Sequence, residues 1–402
     1  MNRPASERRA VVVGGSLGGL SAALWLRDVG WDVEVLERSP SPLEGRGAGI
    51  VLHPATIRYL VEHGTADLEA ISAPARWLRY LGADGAVQSQ APCRYRFTSW
   101  TTLYRQLLSH FGRERYRMGT EVVAVESGAR GAGAVTASGE RLDADLLVGA
   151  DGVASTVRAT LLPDVQPAYA GYVGWRGTVA EDGLSSETFA ALHEAITYHL
   201  LPRSHILAYP IPDRDGTVTP GRRLLNWVWY RNVASGGELD ELMTGTDGLR
   251  HWLSLPPGRV RPAHLDELRS TAERLPAPLA EAVTRTAEPF VQLIVDVVVP
   301  RMVFGRVCLL GDAAFALRPH AAVGTAKAAE DARRLARSLR AVGSGDVDRA
   351  LASWETAQLR LGRQAAGRTA AAGNRAQFEG TWQVGEPLPF GLYEVGDSAL
   401  GE

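Results

Sequence analysis

The apolar run Ala10-Val11-Val12-Val13 passes into a glycine-rich turn, then into a stretch with Leu20, Ala23 and Leu24 at helical spacing, then into a second run, Val33-Glu34-Val35-Leu36. Strand-like runs on either side of a helical period predict a βαβ unit. Two later runs end in a related way: Asp145-Leu146-Leu147-Val148-Gly149 meets Ala150-Asp151-Gly152, and Val307-Cys308-Leu309-Leu310 meets Gly311-Asp312. Between them the texture changes. Tyr172 to Arg176, Thr197 to Pro210 and Arg223 to Arg231 are rich in aromatic and β-branched residues and are separated by Gly, Pro and Asp clusters, the pattern of an antiparallel sheet. Leu239 to Thr286 carries mixed helical spacing broken by prolines, which predicts short helices over that sheet. After Gly324, the positions Ala328, Ala332, Leu335, Ala336 and Leu339 predict a helix, a second follows from about Val347 to Ala372, and residues 380–402 read as an ordered tail packed over the surface. The fold class expected is α/β: a Rossmann-like nucleotide-binding domain, an inserted antiparallel β-sheet domain, and C-terminal helices.

Composition narrows the partners. A chain of 402 residues can build two packed domains. Its formal net charge of -2 offers no summed positive field, so neither nucleic acid nor a membrane surface is an expected partner. The N-terminal apolar run is too short for a signal peptide or a membrane span, and a cytoplasmic location is expected. Cys93 and Cys308 stand apart without CxxC or histidine clustering, which predicts two reduced thiols and no metal site. Lys327 is the sole lysine among dozens of arginines, so an arginine by itself signals little.

Gly14-Gly15-Ser16-Leu17-Gly18-Gly19 falls at the strand-to-helix junction, where a pyrophosphate can meet unpaired N–H groups and the positive end of a helix dipole. Gly14 and Gly19 fit the GxGxxG frame, and Ser16 replaces its middle glycine. Glu37, at the end of the second strand, is placed to accept from ribose hydroxyls and to disfavour a 2′-phosphate. These two features favour a dinucleotide without separating NAD from FAD. The third strand separates them: Asp312, followed by Arg318-Pro319-His320 and by Gly324-Thr325-Ala326 opening a helix, sets a carboxylate and a second helix N-terminus beside the same crevice. A carboxylate can hold ribityl hydroxyls, and the helix dipole stabilises negative charge on a reduced flavin.

The ordered motifs Gly14 to Gly19 with Glu37-Arg38-Ser39, Asp151-Gly152 with Ser155 and Arg158, and Gly311-Asp312 with Pro319 give the chain a resemblance, over nearly its whole length, to the class A flavoprotein aromatic monooxygenases of the para-hydroxybenzoate hydroxylase fold. Gly45-Arg46-Gly47-Ala48-Gly49-Ile50, Gly174-Trp175-Arg176-Gly177 and Pro389-Phe390-Gly391-Leu392-Tyr393-Glu394 bring it near the 2,6-dihydroxypyridine 3-hydroxylase subgroup, which shares the serine of the first turn. The resemblance implies FAD-binding segments at 1–75, 101–165 and 290–345, substrate-lobe segments at 76–100 and 166–289, and a C-terminal helix and tail at 346–402. It implies that Gly15, Ser16 and Leu17 offer backbone to the pyrophosphate, that Glu37 and Arg38 hold the adenosine side, and that Arg105 reaches the phosphate or ribityl region. The backbone of Val123 would meet adenine, and Asp312 would bind the ribityl chain. Asp151 would join the pyrophosphate region to the pyridine-nucleotide path, the alternative being a cap on a helix over Val153 to Thr160. A homodimer is implied as well.

The implied activity is hydroxylation of an electron-rich aromatic ring, hydroxypyridine or phenol-like, through a flavin C4a-hydroperoxide, with FAD bound, NADH or NADPH as transient co-substrate, and O2. Substrate activation calls for a base or charge-stabilising donor near the ring, for which His53 and His320, the latter just after Pro319, are candidates. Arg46, between glycines, would contact the flavin or gate it. Tyr172, Arg176, Arg203, Tyr209 and Trp227 are candidates for the substrate cavity, although strand alternation turns about half of any such set away. A Baeyer-Villiger or epoxidising flavin monooxygenase would use the same flavin site, and a non-catalytic flavin-binding protein would share it. A flavin halogenase is disfavoured because Trp227-Val228-Trp229 continues as Tyr230-Arg231 rather than Ile-Pro.

Overall fold

The computed structural model describes residues 8–45, 49–128, 131–342 and 346–400. Val11, Val12, Leu146, Leu147 and Val148 are fully buried, as expected of strands covered on both faces. They build a six-stranded sheet in the order Val303–Phe304, Val307–Leu309, Leu146–Gly149, Arg9–Val13, Asp32–Leu36, Tyr116–Arg117, parallel throughout except for its first pair. The three strands that the sequence ends in glycine are therefore neighbours. Their carboxyl ends lie side by side, which is where open α/β sheets bind ligands. Helix Leu17–Asp28 packs on this sheet and against helix Gly324–Val342, and Gly18 keeps the two helices close, since a Cβ there would stand 3.3 Å from that of Ala328.

The second sheet has nine strands, ordered Ser254–Leu255, Phe290–Asp296, Ala168–Ala180, Leu224–Asn232, Ser204–Ile211, Ala195–Leu201, Ala73–Leu81, Val87–Ser99, Gly49–Val51. It is antiparallel except where Ala195–Leu201 runs parallel to Ala73–Leu81. That one parallel pair joins the inserted region to strands from the first hundred residues, so the sheet face is assembled from distant parts of the chain. A small antiparallel sheet of Val122–Ser127, Ala132–Thr136 and Arg141–Ala144 completes the strands. Pro262–Ala272 and Ala277–Thr284 are the expected short helices.

The long helix Val347–Asn374 runs into a π-helical turn, Arg375–Glu379, and then into the tail. The tail is ordered by burial of Leu388, Phe390 and Leu392 and by the carboxylate of Asp397, which accepts from the N–H groups of Leu392 and Tyr393 at 2.7 and 2.8 Å. No helix among the described residues is long and apolar enough to cross a membrane. Cys308 is buried, Cys93 is half-buried, and both are free.

Candidate active site

One cavity of about 560 Å³ runs from the carboxyl edge of the parallel sheet to the face of the nine-stranded sheet. At the sheet edge it is lined by Gly14, Ser16, Leu17, Glu37, Arg38, Asp151, Asp312, Gly324 and Thr325. Gly14 has φ +102, and a Cβ there would stand 2.4 Å from the carbonyl oxygen of Ala150, so only glycine lets the first turn approach the next strand this closely. The turn delivers the N-terminus of helix Leu17–Asp28 to the cavity, and Ser16 at its N-cap position makes no side-chain capping bond. A second N-terminus, that of helix Gly324–Val342, opens onto the same space through Gly324 and Thr325.

Glu37 is buried, and its two oxygens accept from the N–H groups of Gly15 at 2.9 Å and Ser39 at 2.8 Å. Gly15 thereby spends its N–H inside the protein, and Tyr116 donates to its carbonyl oxygen at 2.9 Å, while Gly14, Ser16, Leu17 and Gly18 of the turn line the cavity. Gly19 faces the protein instead, where a Cβ would strike the carbonyl of Gly14. Asp312 opens onto the cavity, yet the protein around it removes enough water to push its carboxyl up to about 6. Asp151 lines the cavity and also organises the chain: one oxygen accepts from Ser155 Oγ at 2.5 Å and the other from Val157 N–H at 3.1 Å, at the start of helix Thr156–Leu161. Buried Arg158 donates to the carbonyls of Val153 and Ala313, which ties the second and third turns together.

Besides Gly15 and Gly19, the predicted cofactor residues Arg105, Val123 and Ala326 are not among the residues that line the cavity. Arg105 is exposed, paired with Glu44 at 2.5 Å and donating to the carbonyl of Arg214, outside the cavity lining. The side chain of Val123 is exposed, and its neighbours Glu121 and Val122 line the cavity. Ala326 is buried between helices. Arg46 lies outside the described residues.

The other end of the cavity follows strand register. Tyr198 faces Leu207 across one strand pair, Leu207 faces Val228, and Val228 faces Arg176, while His205 pairs with Tyr230, which pairs with Gly174, which pairs with Gln292. All of these except Gly174 line the cavity, together with Tyr209, Pro319, His320, Trp382 and Phe390. Arg176 is flanked by the phenols of Tyr209 and Tyr230, and its Nε is buried without a hydrogen-bond partner. Tyr172 lies behind this wall, its hydroxyl 2.8 Å from Nε2 of His320, a contact that Gly373 permits because a Cβ there would stand 2.7 Å from that hydroxyl. Burial and the nearby Arg318 guanidinium bring His320 down to about 3, so it is neutral at physiological pH.

Trp227 points the opposite way, fully buried with Nε1 donating to Thr286 at 2.8 Å, because it is one residue out of phase with Val228. Arg203 is exposed at φ +54 in the hairpin turn between Leu201 and Ser204. His53 is away from the cavity lining: Nδ1 accepts from Ala55 N–H and caps helix Pro54–Glu62, and Nε2 lies 2.9 Å from Asp397 of the tail. Sequence reasoning passed over Tyr198, His205, Tyr230, Gln292, Trp382 and Phe390. It also passed over Lys327, which is fully buried, 2.5 Å from Asp331, whose other oxygen accepts from Gly311 N–H and so props the turn that presents Asp312.

Comparison with known proteins bears on the family and the fold. Residues 169–296 match the family described as FAD binding domain-like, and residues 289–369 match the FAD binding domain family. The chain is 40% identical over 399 residues to the 2,6-dihydroxypyridine 3-monooxygenase of Paenarthrobacter nicotinovorans, covering 99% of this chain and 98% of that one. The solved structure of 2,6-dihydroxypyridine-3-hydroxylase from Arthrobacter nicotinovorans superposes with a TM-score of 0.92 at 40% identity, covering 97% of this chain and 98% of that one. The 3-amino-4-hydroxybenzoate 2-monooxygenase of Streptomyces cremeus is 32% identical, over 89% of this chain and 84% of its own. With this cover and identity, the chain belongs to the class A FAD-dependent monooxygenases.

Proposed function

We propose that the protein hydroxylates a small electron-rich ring, a hydroxypyridine or a phenol, bound against the nine-stranded sheet, with O2 and NADH or NADPH as co-substrates. The observation that carries this reading is Arg176, a guanidinium that lines the aromatic end of the cavity beside the buried phenols of Tyr209 and Tyr230. A fixed positive charge in a partly desolvated site stabilises negative charge developing beside it, and a ring oxygen carrying that charge is the matching acceptor.

FAD fits the other end. The N–H groups at Ser16 and Leu17 and the N-terminus at Gly324 and Thr325 suit its anionic parts, and a carboxylate has about four lone-pair sites, so Glu37 keeps two for ribose hydroxyls after its two backbone bonds. Asp312 is placed for the ribityl hydroxyls, and Arg38 for the adenosine side. When bound, FAD supplies electron transfer and oxygen activation. Arg176 holds charge on the substrate oxygen, Leu207 and Val228 cover the ring, and Trp382 and Phe390 of the tail exclude water from it. Neutral His320 is a poor proton store, so the fixed charge of Arg176 favours the ionised ring. The named substrates of the relatives, a dihydroxypyridine and an aminohydroxybenzoate, support a hydroxylated ring over the ketone of a Baeyer-Villiger enzyme.

A homodimer and a cytoplasmic location complete the reading, the first open to sedimentation measurements. The test of the activity is a panel of hydroxypyridines, phenols and ketones, scored for NADH and NADPH consumption and for product mass. Stimulation by a hydroxylated ring with a mass gain of one oxygen is expected. Stimulation by ketones alone would refute the proposal, as would a yellow protein that none of them stimulates.

A further inference from the structure

His205 lines the cavity on the same face as Arg176 and packs against Tyr230, Trp382 and His320, with ring centroids 4.8, 4.9 and 5.3 Å away. Its Nδ1 lies 3.0 Å from Nε2 of Gln377. A side-chain amide nitrogen only donates, so the imidazole nitrogen facing it carries a lone pair, and the proton of the neutral ring resides on the other nitrogen. That nitrogen, Nε2, has no hydrogen-bond partner among the described residues. Burial, with His320 alongside, holds the ring in its uncharged form.

The orientation of the Gln377 amide decides the tautomer. Gln377 is fully buried, and as placed its Oε1 is the atom left unpartnered. Turning the amide over would leave both hydrogens of a buried NH2 group without an acceptor, and orphaned N–H groups are rarer in folded proteins than under-satisfied carbonyl oxygens. The backbone also fixes the side chain: Gln377 sits in the π-helical turn Arg375–Glu379, and its carbonyl accepts at 2.7 Å from Nδ2 of Asn232, the last residue of the interior strand Leu224–Asn232. Such single π-turns in otherwise α-helical segments recur at functional sites.

We propose that Gln377 is a positioning residue that locks His205 as a neutral Nε2–H donor toward the bound ring, so that Arg176 and His205 together engage two acceptor atoms of the substrate. The ligand half of this inference rests on the hydroxylated-ring reading above; the tautomer half does not. Rings bearing two oxygen acceptors are then bound in preference to rings bearing one, because a site built to donate leaves a polar group unpaired when the acceptor is missing.

The test is 15N NMR of the FAD-loaded enzyme with labelled histidines, the His205 signals being assigned by their loss in His205→Phe. The wild type is expected to show an unprotonated Nδ1 and a protonated Nε2 at neutral pH. In Gln377→Met the two tautomers should interconvert, and the KM for a dihydroxylated ring should rise roughly tenfold, the size expected for one lost hydrogen bond, with kcat and FAD content little changed. A wild-type His205 protonated on Nδ1 overturns the proposal, and so does a Gln377→Met enzyme that keeps the wild-type tautomer. If Gln377→Met does not fold, the wild-type spectrum alone decides. Because that spectrum needs no substrate, an expected spectrum from an enzyme that consumes no hydroxylated ring counts against the substrate reading and leaves the tautomer standing.

Discussion

If Arg176 holds the substrate oxygen, as proposed, its removal should separate substrate binding from cofactor binding. Arg176→Gln keeps hydrogen-bonding capacity and loses the charge. Flavin fluorescence titrations should show substrate affinity weakened by about 10- to 100-fold, the range of about 1.5–3 kcal/mol typical of hydrogen bonds to charged groups, while FAD content stays at the wild-type level. A pH effect follows from His320. Its folded-state value, about 3, lies below the ordinary histidine value, so between about 6.5 and 3 the unfolded chain binds a proton that the folded chain refuses. This term therefore lowers stability as pH falls through that window. In urea unfolding at pH 7 and pH 5, His320→Gln should lose less stability on acidification than the wild type. An equal loss in both proteins would show that His320 is not kept neutral by the fold.

At the scale of strands and helices, the parts legible in the sequence were those where the period changes. Val11 to Val13, the glycine turn and Leu20 to Leu24 announce strand, turn and helix locally, so the nucleotide end of the cavity could be placed before any coordinates. Gly14→Ala should abolish this turn: the added Cβ meets the backbone of Ala150, and φ +102 is strained for alanine. Purified Gly14→Ala is expected to be colourless, or to lose its flavin on gel filtration. The aromatic end was harder to read, because residue types along a strand do not fix which parity faces the cavity. Trp227 and Val228 are adjacent and equally apolar, yet only Val228 lines the cavity, and the register that decides this comes from Arg176 on a strand some fifty residues away. His205 shares the phase of Tyr209 on one strand and could have been found from that spacing alone. The i,i+4 spacing of Lys327 and Asp331 is visible locally, but the role of the pair depends on Asp331 meeting Gly311, which the sequence does not show.

Over the whole molecule, the C-terminal tail folds back across the sheet and adds Trp382 and Phe390 to the cavity wall. The sequence showed that tail as aromatic and ordered but not where it lands. Trp382 meets Tyr198 and His205 edge-on, Tyr80 donates to the carbonyl of Glu386 at 3.0 Å, and His53 holds Asp397 at 2.9 Å. His53 thus reads as a fastening between the first part of the chain and the last, a role its sequence position beside the Gly45 to Val51 loop did not suggest. Truncation after Gly380 should leave FAD bound, since none of the described residues beyond it lines the nucleotide end, while opening the aromatic end to water. Peroxide assays should then show most NAD(P)H consumption yielding hydrogen peroxide, with the hydroxylated product reduced several-fold.

The central claim is that a single cavity brings a flavin held by three strand ends up to a hydroxylated ring held by Arg176. Incubating the FAD-loaded protein with NADH, a dihydroxypyridine and 18O-labelled dioxygen tests it most directly. The account predicts a product whose ring carries one atom of 18O, formed in proportion to the NADH consumed. Unlabelled substrate recovered beside labelled hydrogen peroxide, or label entering only from water, would contradict it.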